Sequence, residues 1–263
     1  MKIIALAAAA ALSLTLASQA QTKAPPEPPK TAPGVNPQAP AAKLPPQAPD
    51  VAAPKMGNDG NPQPGFIAAH ERFVATAKEG KTDLVFLGDS ITAGWGGQKT
   101  IWEKSFGAYR PANFGIGGDR TQHVLWRITN GELDGIKPKA AVLMIGTNNS
   151  GSDSAEGIAS GVTKIVETIR AKQPDTKILL LAVFPRGPQA EGNAQREKLK
   201  QVNAIIAKLD DGKNVSYLDI GDKFLQPDGA LPREIMPDFL HLSSKGYQIW
   251  ADSIETKLAA LMK

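Results

Sequence analysis

From Gly65 onward the chain alternates between short unbroken apolar runs and longer stretches in which apolar residues recur every three or four positions. The runs are Leu84–Leu87, Ala140–Ile145, Ile178–Val183 and Val215–Leu218, with a shorter one at Pro111–Phe114. Their apolar residues are consecutive, the pattern of strands buried on both faces of a parallel sheet. Helical spacing is clearest at Val124–Ile128, Ile158–Ile169, Leu199–Leu209 and Tyr247–Leu261. Phe66, Ile67, Phe73 and Val74 predict an opening helix that ends near Gly80. Strands alternating with helices predict an α/β protein, a three-layer α/β/α sandwich around a five-stranded parallel sheet of flavodoxin type.

Upstream of Gly65 the pattern is absent. Residues 1–20 carry Lys2, an apolar run from Ile3 to Leu12, and small residues at Ser18-Gln19-Ala20. The run is short for a bilayer span and fits a secretory signal cut after Ala20; an uncleaved anchor is the alternative. Residues 21–64 hold 13 of the 21 prolines, mixed with Ala, Lys and Gln. So little apolar surface predicts a disordered spacer, with a wall- or partner-binding segment as the second reading. The expected organisation is a signal over 1–20, a Pro/Ala-rich linker over 21–64 and one domain over 65–263. The mature protein is expected to be exported, to the periplasm or beyond, and not held in a membrane.

The net charge of +4 is not concentrated anywhere, and the region from Gly65 carries only about half of it. Without a basic run, nucleic acid is not an expected partner. The absence of cysteine excludes disulfides, thiol catalysis and thiolate metal sites.

In parallel α/β sheets the chemistry gathers beyond the carboxyl ends of the strands. After the first run comes Gly88-Asp89-Ser90; after the second, Asn113-Phe114-Gly115-Ile116-Gly117-Gly118-Asp119. The third is followed by Gly146-Thr147-Asn148, and the last helix is preceded by Asp238-Phe239-Leu240-His241. Each alone reads as a turn or a helix cap. Together, and in this order, they supply an acyl-transfer site. Ser90 is a nucleophile once a base takes its proton; His241 is that base, and Asp238 fixes its tautomer. The N–H groups of Ser90 and Gly118 and the Asn148 amide are candidate donors to an oxyanion.

These four blocks resemble those of the SGNH/GDSL hydrolase superfamily. The stretches from Asn113 to Thr121, Val124-Leu125-Trp126-Arg127 and Asn130-Gly131-Glu132-Leu133 resemble the catalytic subunits of intracellular platelet-activating factor acetylhydrolase. Pro185-Arg186-Gly187 fits that group too, and the resemblance runs from about Asp83 to the end. It implies an SGNH hydrolase fold, a cofactor-free and metal-free serine esterase, and the same catalytic residues. It further implies that Ile91, Thr147 and Leu240 line an acyl pocket for small groups, acetyl above all, and that the chain forms a homodimer. The segment after Ser90, Ile-Thr-Ala-Gly-Trp with further glycines at 96 and 97, departs from the mammalian subunits, as does the export signal. The expected substrates are small-molecule or polysaccharide esters, among them acetylated carbohydrates and lipid esters.

Other residues compete for roles. His70, ahead of the first strand, is expected at the surface; His123 is a rival base or a capping histidine. Asp89 is read as a turn-holding carboxylate, and Arg120 and Arg127 as ion-pair partners under the site. Trp95 and Trp102 form either an aromatic wall or core packing. Asp83, Asp89 and Asp119 lack the spacing of a metal site. Two other function classes are a non-catalytic carbohydrate- or wall-binding module on a degenerate hydrolase fold, and a phosphate- or flavin-binding protein. The filled catalytic positions and the late Asp-x-x-His weigh against both.

Overall fold

In the computed structural model the described residues are 46–263. The expected signal and the spacer up to residue 45 lie outside them. Five parallel strands, β1 (Leu84–Gly88), β2 (Pro111–Gly115), β3 (Ala140–Met144), β4 (Lys177–Leu181) and β5 (Val215–Leu218), pair in the order β2-β1-β3-β4-β5. All five coincide with the apolar runs, within a residue or two. The order reverses at β1, so the crevice beyond the β1 and β3 carboxyl ends is the topological switch point. Register sharpens this. Gly88 pairs with Gly115 on β2 and with Met144 on β3, so three loops leave the sheet side by side.

Strand side chains point alternately to the two faces, and both are covered. Val85, Leu87, Ala141, Leu143, Ile178 and Leu180 share one core with helices α1 (Pro64–Lys78), α4 (Thr121–Thr129), α5 (Ala155–Lys172) and α6 (Ala194–Ile206). Helix α5 shows the sequence logic. Ser154 caps it through a 3.0 Å bond from the Gly157 N–H, and Ile158, Val162, Ile165 and Ile169 form one buried stripe. Each such aliphatic side chain contributes about 1.5–3 kcal/mol of burial.

The opposite face carries Leu84, Phe86, Val142, Met144, Leu179 and Leu181 under α7 (Ser244–Leu261). Two helices that the pattern did not predict, α2 (Ser90–Ala93) and α3 (Lys99–Phe106), cover this face near β1 and β2. Trp95 and Trp102 pack with Phe86 and Phe106 there, with ring centroids 4.9–5.6 Å apart for Trp95–Trp102, Trp95–Phe106, Phe86–Trp102 and Trp102–Phe106. Core packing, not an aromatic wall, accounts for them. Among the described residues no helix is long and apolar enough to cross a membrane.

Two expectations are corrected. Residues 46–63, read as part of a disordered spacer, form a strap hydrogen-bonded to the domain. Pro49 O accepts from Thr121 Oγ1 at 2.7 Å, Ala53 N–H donates to Gln122 O, and Asp50 Oδ2 accepts from Ser160 Oγ at 2.8 Å. Individual polar bonds order this segment, which composition does not report. His70, expected at the surface, is only 7% exposed; Nδ1 lies 3.4 Å from Glu132 and Nε2 3.1 Å from Asn130 O.

Candidate active site

Ser90 begins α2, directly beyond the carboxyl end of β1. Asp89 caps that helix, its Oδ1 accepting the Ile91 N–H at 2.9 Å. Gly88 has no alternative here, because a β-carbon would lie 2.2 Å from Thr92 Oγ1 and 2.5 Å from Met144 O. The sharp strand-to-helix turn leaves Ser90 half-buried and facing the crevice.

His241 comes from the turn before α7, together with its carboxylate. Asp238 Oδ1 accepts the His241 and Leu240 N–H groups at 2.7 and 3.1 Å, and Oδ2 lies 2.6 Å from His241 Nδ1. Between them Phe239 adopts φ 59°, a left-handed conformation that is costly for an aromatic residue. It is held by bonds from Phe239 N–H to Met236 O and from Gly187 N–H to Phe239 O, and by Arg233 stacked 4.3 Å from the ring centre. Across the crevice His241 Nε2 is 2.9 Å from Ser90 Oγ.

Partial burial opposes ionisation of Asp238, but the bonds from the His241 ring and from the two N–H groups outweigh it and hold the carboxyl below its ordinary range. An ionised Asp238 accepts from Nδ1–H, which leaves the Nε2 lone pair for the Ser90 hydroxyl proton.

The loop after β2 runs past Ser90 through Gly117, Gly118 and Asp119. Gly118 has φ 73°, and its N–H has no acceptor among the described residues. Asn148, on a single turn of 3-10 helix after β3, donates from Nδ2 to Asp119 O at 2.8 Å and approaches Asp89 Oδ2 at 3.5 Å. One Nδ2 proton thus holds the loop, and the other is weakly engaged. Ser90, Gly118 and Asn148 stand on the loops that follow β1, β2 and β3, which leave the sheet side by side. Of the three residues expected to line an acyl pocket, Leu240 is half-buried, whereas Ile91 and Thr147 are each 1% exposed.

Beneath the loop lies a buried charge network. Arg127 donates from Nε to Asp119 Oδ2 at 2.9 Å, from Nη1 to Glu132 and from Nη2 to Gly88 O at 3.4 Å. Burial raises the Asp119 carboxyl against the pull of Arg127 and Lys55. Asp89, wholly enclosed, is pushed to about 7, first by desolvation and then by Asp119. His123 serves α4: its Nδ1 accepts the Arg120 N–H at 3.1 Å, and Nε2 meets Gln47 Oε1 at 3.2 Å. Desolvation, reinforced by Lys55, Arg120 and Arg127, depresses it to about 3, so it is a neutral cap with both ring nitrogens engaged by groups other than Ser90. Arg120 reaches Asp153 at 4.0 Å, and Asp83 pairs with Arg110 at the opposite end of β1 from Asp89.

Three contributors escaped the sequence reading. Asn149 joins the β3 loop to α4 by accepting the Thr121 N–H at 3.0 Å and donating to Gln122 and Asp153. Tyr247 reaches α2, its hydroxyl donating to Ile91 O at 2.6 Å. Lys55 of the strap ion-pairs with Asp119 Oδ1 at 2.8 Å, in a contact poorly aligned for a hydrogen bond, and donates to Gly117 O at 2.6 Å.

Residues 86–249 match the GDSL-like lipase/acylhydrolase family. This chain belongs to that family. It is a carboxylic ester hydrolase. Among curated relatives, the human platelet-activating factor acetylhydrolase IB subunit alpha2 is 41% identical over 198 residues, 75% of this chain and 85% of that protein. The human alpha1 subunit is 39% identical over 198 residues, 75% of this chain and 84% of that protein. Among solved structures, a GDSL-like lipase from Bacteroides thetaiotaomicron superposes with a TM-score of 0.57 at 21% identity, covering 73% of this chain and 97% of that one. Est24, a carbohydrate acetylesterase from Sinorhizobium meliloti, gives 0.54 at 20% identity, covering 69% and 100%. These structures share the α/β/α fold of the GDSL acylhydrolase.

Proposed function

We propose that the chain is an exported serine esterase for small-acyl esters, with Ser90 as nucleophile, His241 as general base and acid, and Asp238 as the orienting carboxylate. The observation that carries this reading is the continuous relay from Asp238 Oδ2 through His241 to Ser90 Oγ, at 2.6 and 2.9 Å. Ser90 Oγ bonds to the acyl carbon while its proton passes to Nε2. The carbonyl oxygen becomes an oxyanion, received by the N–H groups of Ser90 and Gly118 and by the Asn148 amide. Collapse breaks the ester C–O bond, and Nε2 returns the proton to the leaving alcohol. Water, deprotonated by the same nitrogen, then releases the acid.

Relatives named acetylhydrolases support a short acyl group. Acetylated carbohydrates and lipid esters are the substrate classes proposed, and a homodimer is the proposed assembly. Export rests on the first twenty residues.

The test is p-nitrophenyl ester hydrolysis by the full chain and by Ser90→Ala, with acetyl through octanoyl esters. Loss of turnover in Ser90→Ala and a preference for acetyl are expected. Equal rates in both proteins would overturn the nucleophile assignment, and a preference for octanoyl would overturn the short-acyl reading. Fractionation of a producing cell tests export: a protein retained in the cytoplasm at full length refutes it.

A further inference from the structure

The strap brings a cation to the back of the peptide that would receive the oxyanion. Lys55 Nζ donates to Gly117 O at 2.6 Å, and a β-carbon on Gly118 would lie only 3.6 Å from it. Gly117 O and the Gly118 N–H belong to one peptide unit. That unit is planar and trans, so its carbonyl and N–H point in opposite directions. Gripping the carbonyl from outside therefore aims the N–H inward, toward the crevice beside Ser90.

The peptide needs such a grip. It joins two glycines, and without β-carbons the flanking dihedrals turn at little steric cost. No other hydrogen bond to Gly117 O or from the Gly118 N–H is made among the described residues. Asn148 fixes the Asp119 carbonyl, two residues on, and Asp119 N–H donates to Ile116 O at 3.1 Å. The loop is thus pinned on both sides of the Gly117–Gly118 peptide, and Lys55 alone pins the peptide itself.

Lys55 is well placed to do so. Its side chain is only 12% exposed, and its ammonium is also paired with Oδ1 of Asp119, whose Oδ2 Arg127 holds. The strap is anchored before it through Pro49, Asp50 and Ala53 and after it by Gln63 N–H donating to Lys55 O at 2.8 Å. A cation on the carbonyl also polarises the peptide, making its N–H a stronger donor at the moment negative charge develops.

We infer that Lys55 is a positioning residue for catalysis: it orients and polarises the Gly117–Gly118 peptide so that the Gly118 N–H meets the oxyanion. This rests on the proposed roles of Ser90 and Gly118. It adds that the segment ahead of the α/β domain completes the active site.

Steady-state p-nitrophenyl acetate kinetics on Lys55→Met, Lys55→Arg and Asp50→Ala test it, with Ser90→Ala alongside. Removing a direct oxyanion donor costs about 10²–10³ in rate, so loss of its orienting group is expected to lower kcat by about 10- to 100-fold in Lys55→Met. KM should stay within about twofold, because the interaction matters only once the oxyanion forms. Lys55→Arg, which keeps a donor and a charge, should recover most of kcat. Asp50→Ala, which removes one of several strap anchors and leaves Pro49, Ala53, Gln63 and Lys55 bonded as before, should keep most of kcat.

An unchanged kcat in folded Lys55→Met, in an enzyme that Ser90→Ala inactivates, overturns the inference and leaves the triad standing. A kcat loss shared equally by Asp50→Ala also overturns it, since strap docking would then be the cause. Activity surviving in Ser90→Ala would instead remove the reading on which it stands. If Lys55→Met does not fold, Lys55→Gln decides by the same comparison with Lys55→Arg.

Discussion

The Tyr247 hydroxyl donates a 2.6 Å hydrogen bond to the carbonyl of Ile91, tying the helix that follows His241 to the helix that begins with Ser90. The two residues are 156 positions apart, yet their buried contact joins the residue that follows Ser90 to the helix that follows His241. Tyr247→Phe leaves the Ile91 carbonyl buried without this donor. A loss of about 1–3 kcal/mol in unfolding free energy is expected, with a several-fold fall in kcat, read by urea denaturation and ester hydrolysis. Gly94→Ala should resemble it, since a β-carbon there would stand 1.9 Å from the same hydroxyl.

Asp238→Asn separates chemistry from folding. The side chain is 56% exposed, so replacing its carboxylate should scarcely move the melting temperature. An amide lets Nδ1 accept instead of donate, turning the imidazole to the tautomer that cannot take the Ser90 proton. A fall in kcat on the order of 10⁴ is expected, with the protein still folded by circular dichroism.

Asp89 and His123 should impose opposite pH dependences on stability. Asp89 is raised from 3.8 to about 7, so its favourable contribution is complete below 3.8 and is lost as pH rises through 7. His123 is lowered from 6.5 to about 3, so its contribution is complete above 6.5 and is lost as pH falls toward 3. Relative to wild type, Asp89→Asn should therefore gain stability as pH rises from 4 to 7, and His123→Gln should lose it. Urea midpoints at several pH values across this window measure both slopes.

Arg127→Ala should be among the most damaging changes away from the reacting atoms. It leaves Asp119 and Glu132 buried without their shared cation, a loss of about 3–5 kcal/mol. Arg127→Lys should rescue little, because Nε, Nη1 and Nη2 each meet a different acceptor and a single ammonium nitrogen cannot stand in all three places. Thermal melting and soluble yield report the outcome.

The sheet was legible because strands buried on both faces cannot afford polar residues, so β1, β3, β4 and β5 stand out as apolar runs. The Ser90, Gly118, Asn148 and His241 blocks were legible because each directly follows a strand or precedes the last helix. Helix α3 was missed because Ile101, Trp102 and Phe106 are too few to set a period over eight residues. His70 and Lys55 were misjudged for a different reason. Their order comes from single bonds to Glu132, Asn130, Gly117 and Asp119, partners that composition and periodicity do not reveal.

Asp238 and His241 are three residues apart on one turn, with the backbone between them locked by Phe239. The carboxylate and imidazole therefore travel as a preassembled cartridge. Within the proposed triad, only the separation from Ser90 Oγ to His241 Nε2 spans distant parts of the chain. A rigid displacement of the turn would open that gap while leaving the acid–base pair intact, so a neighbour bound against the turn would throttle the enzyme without disassembling it.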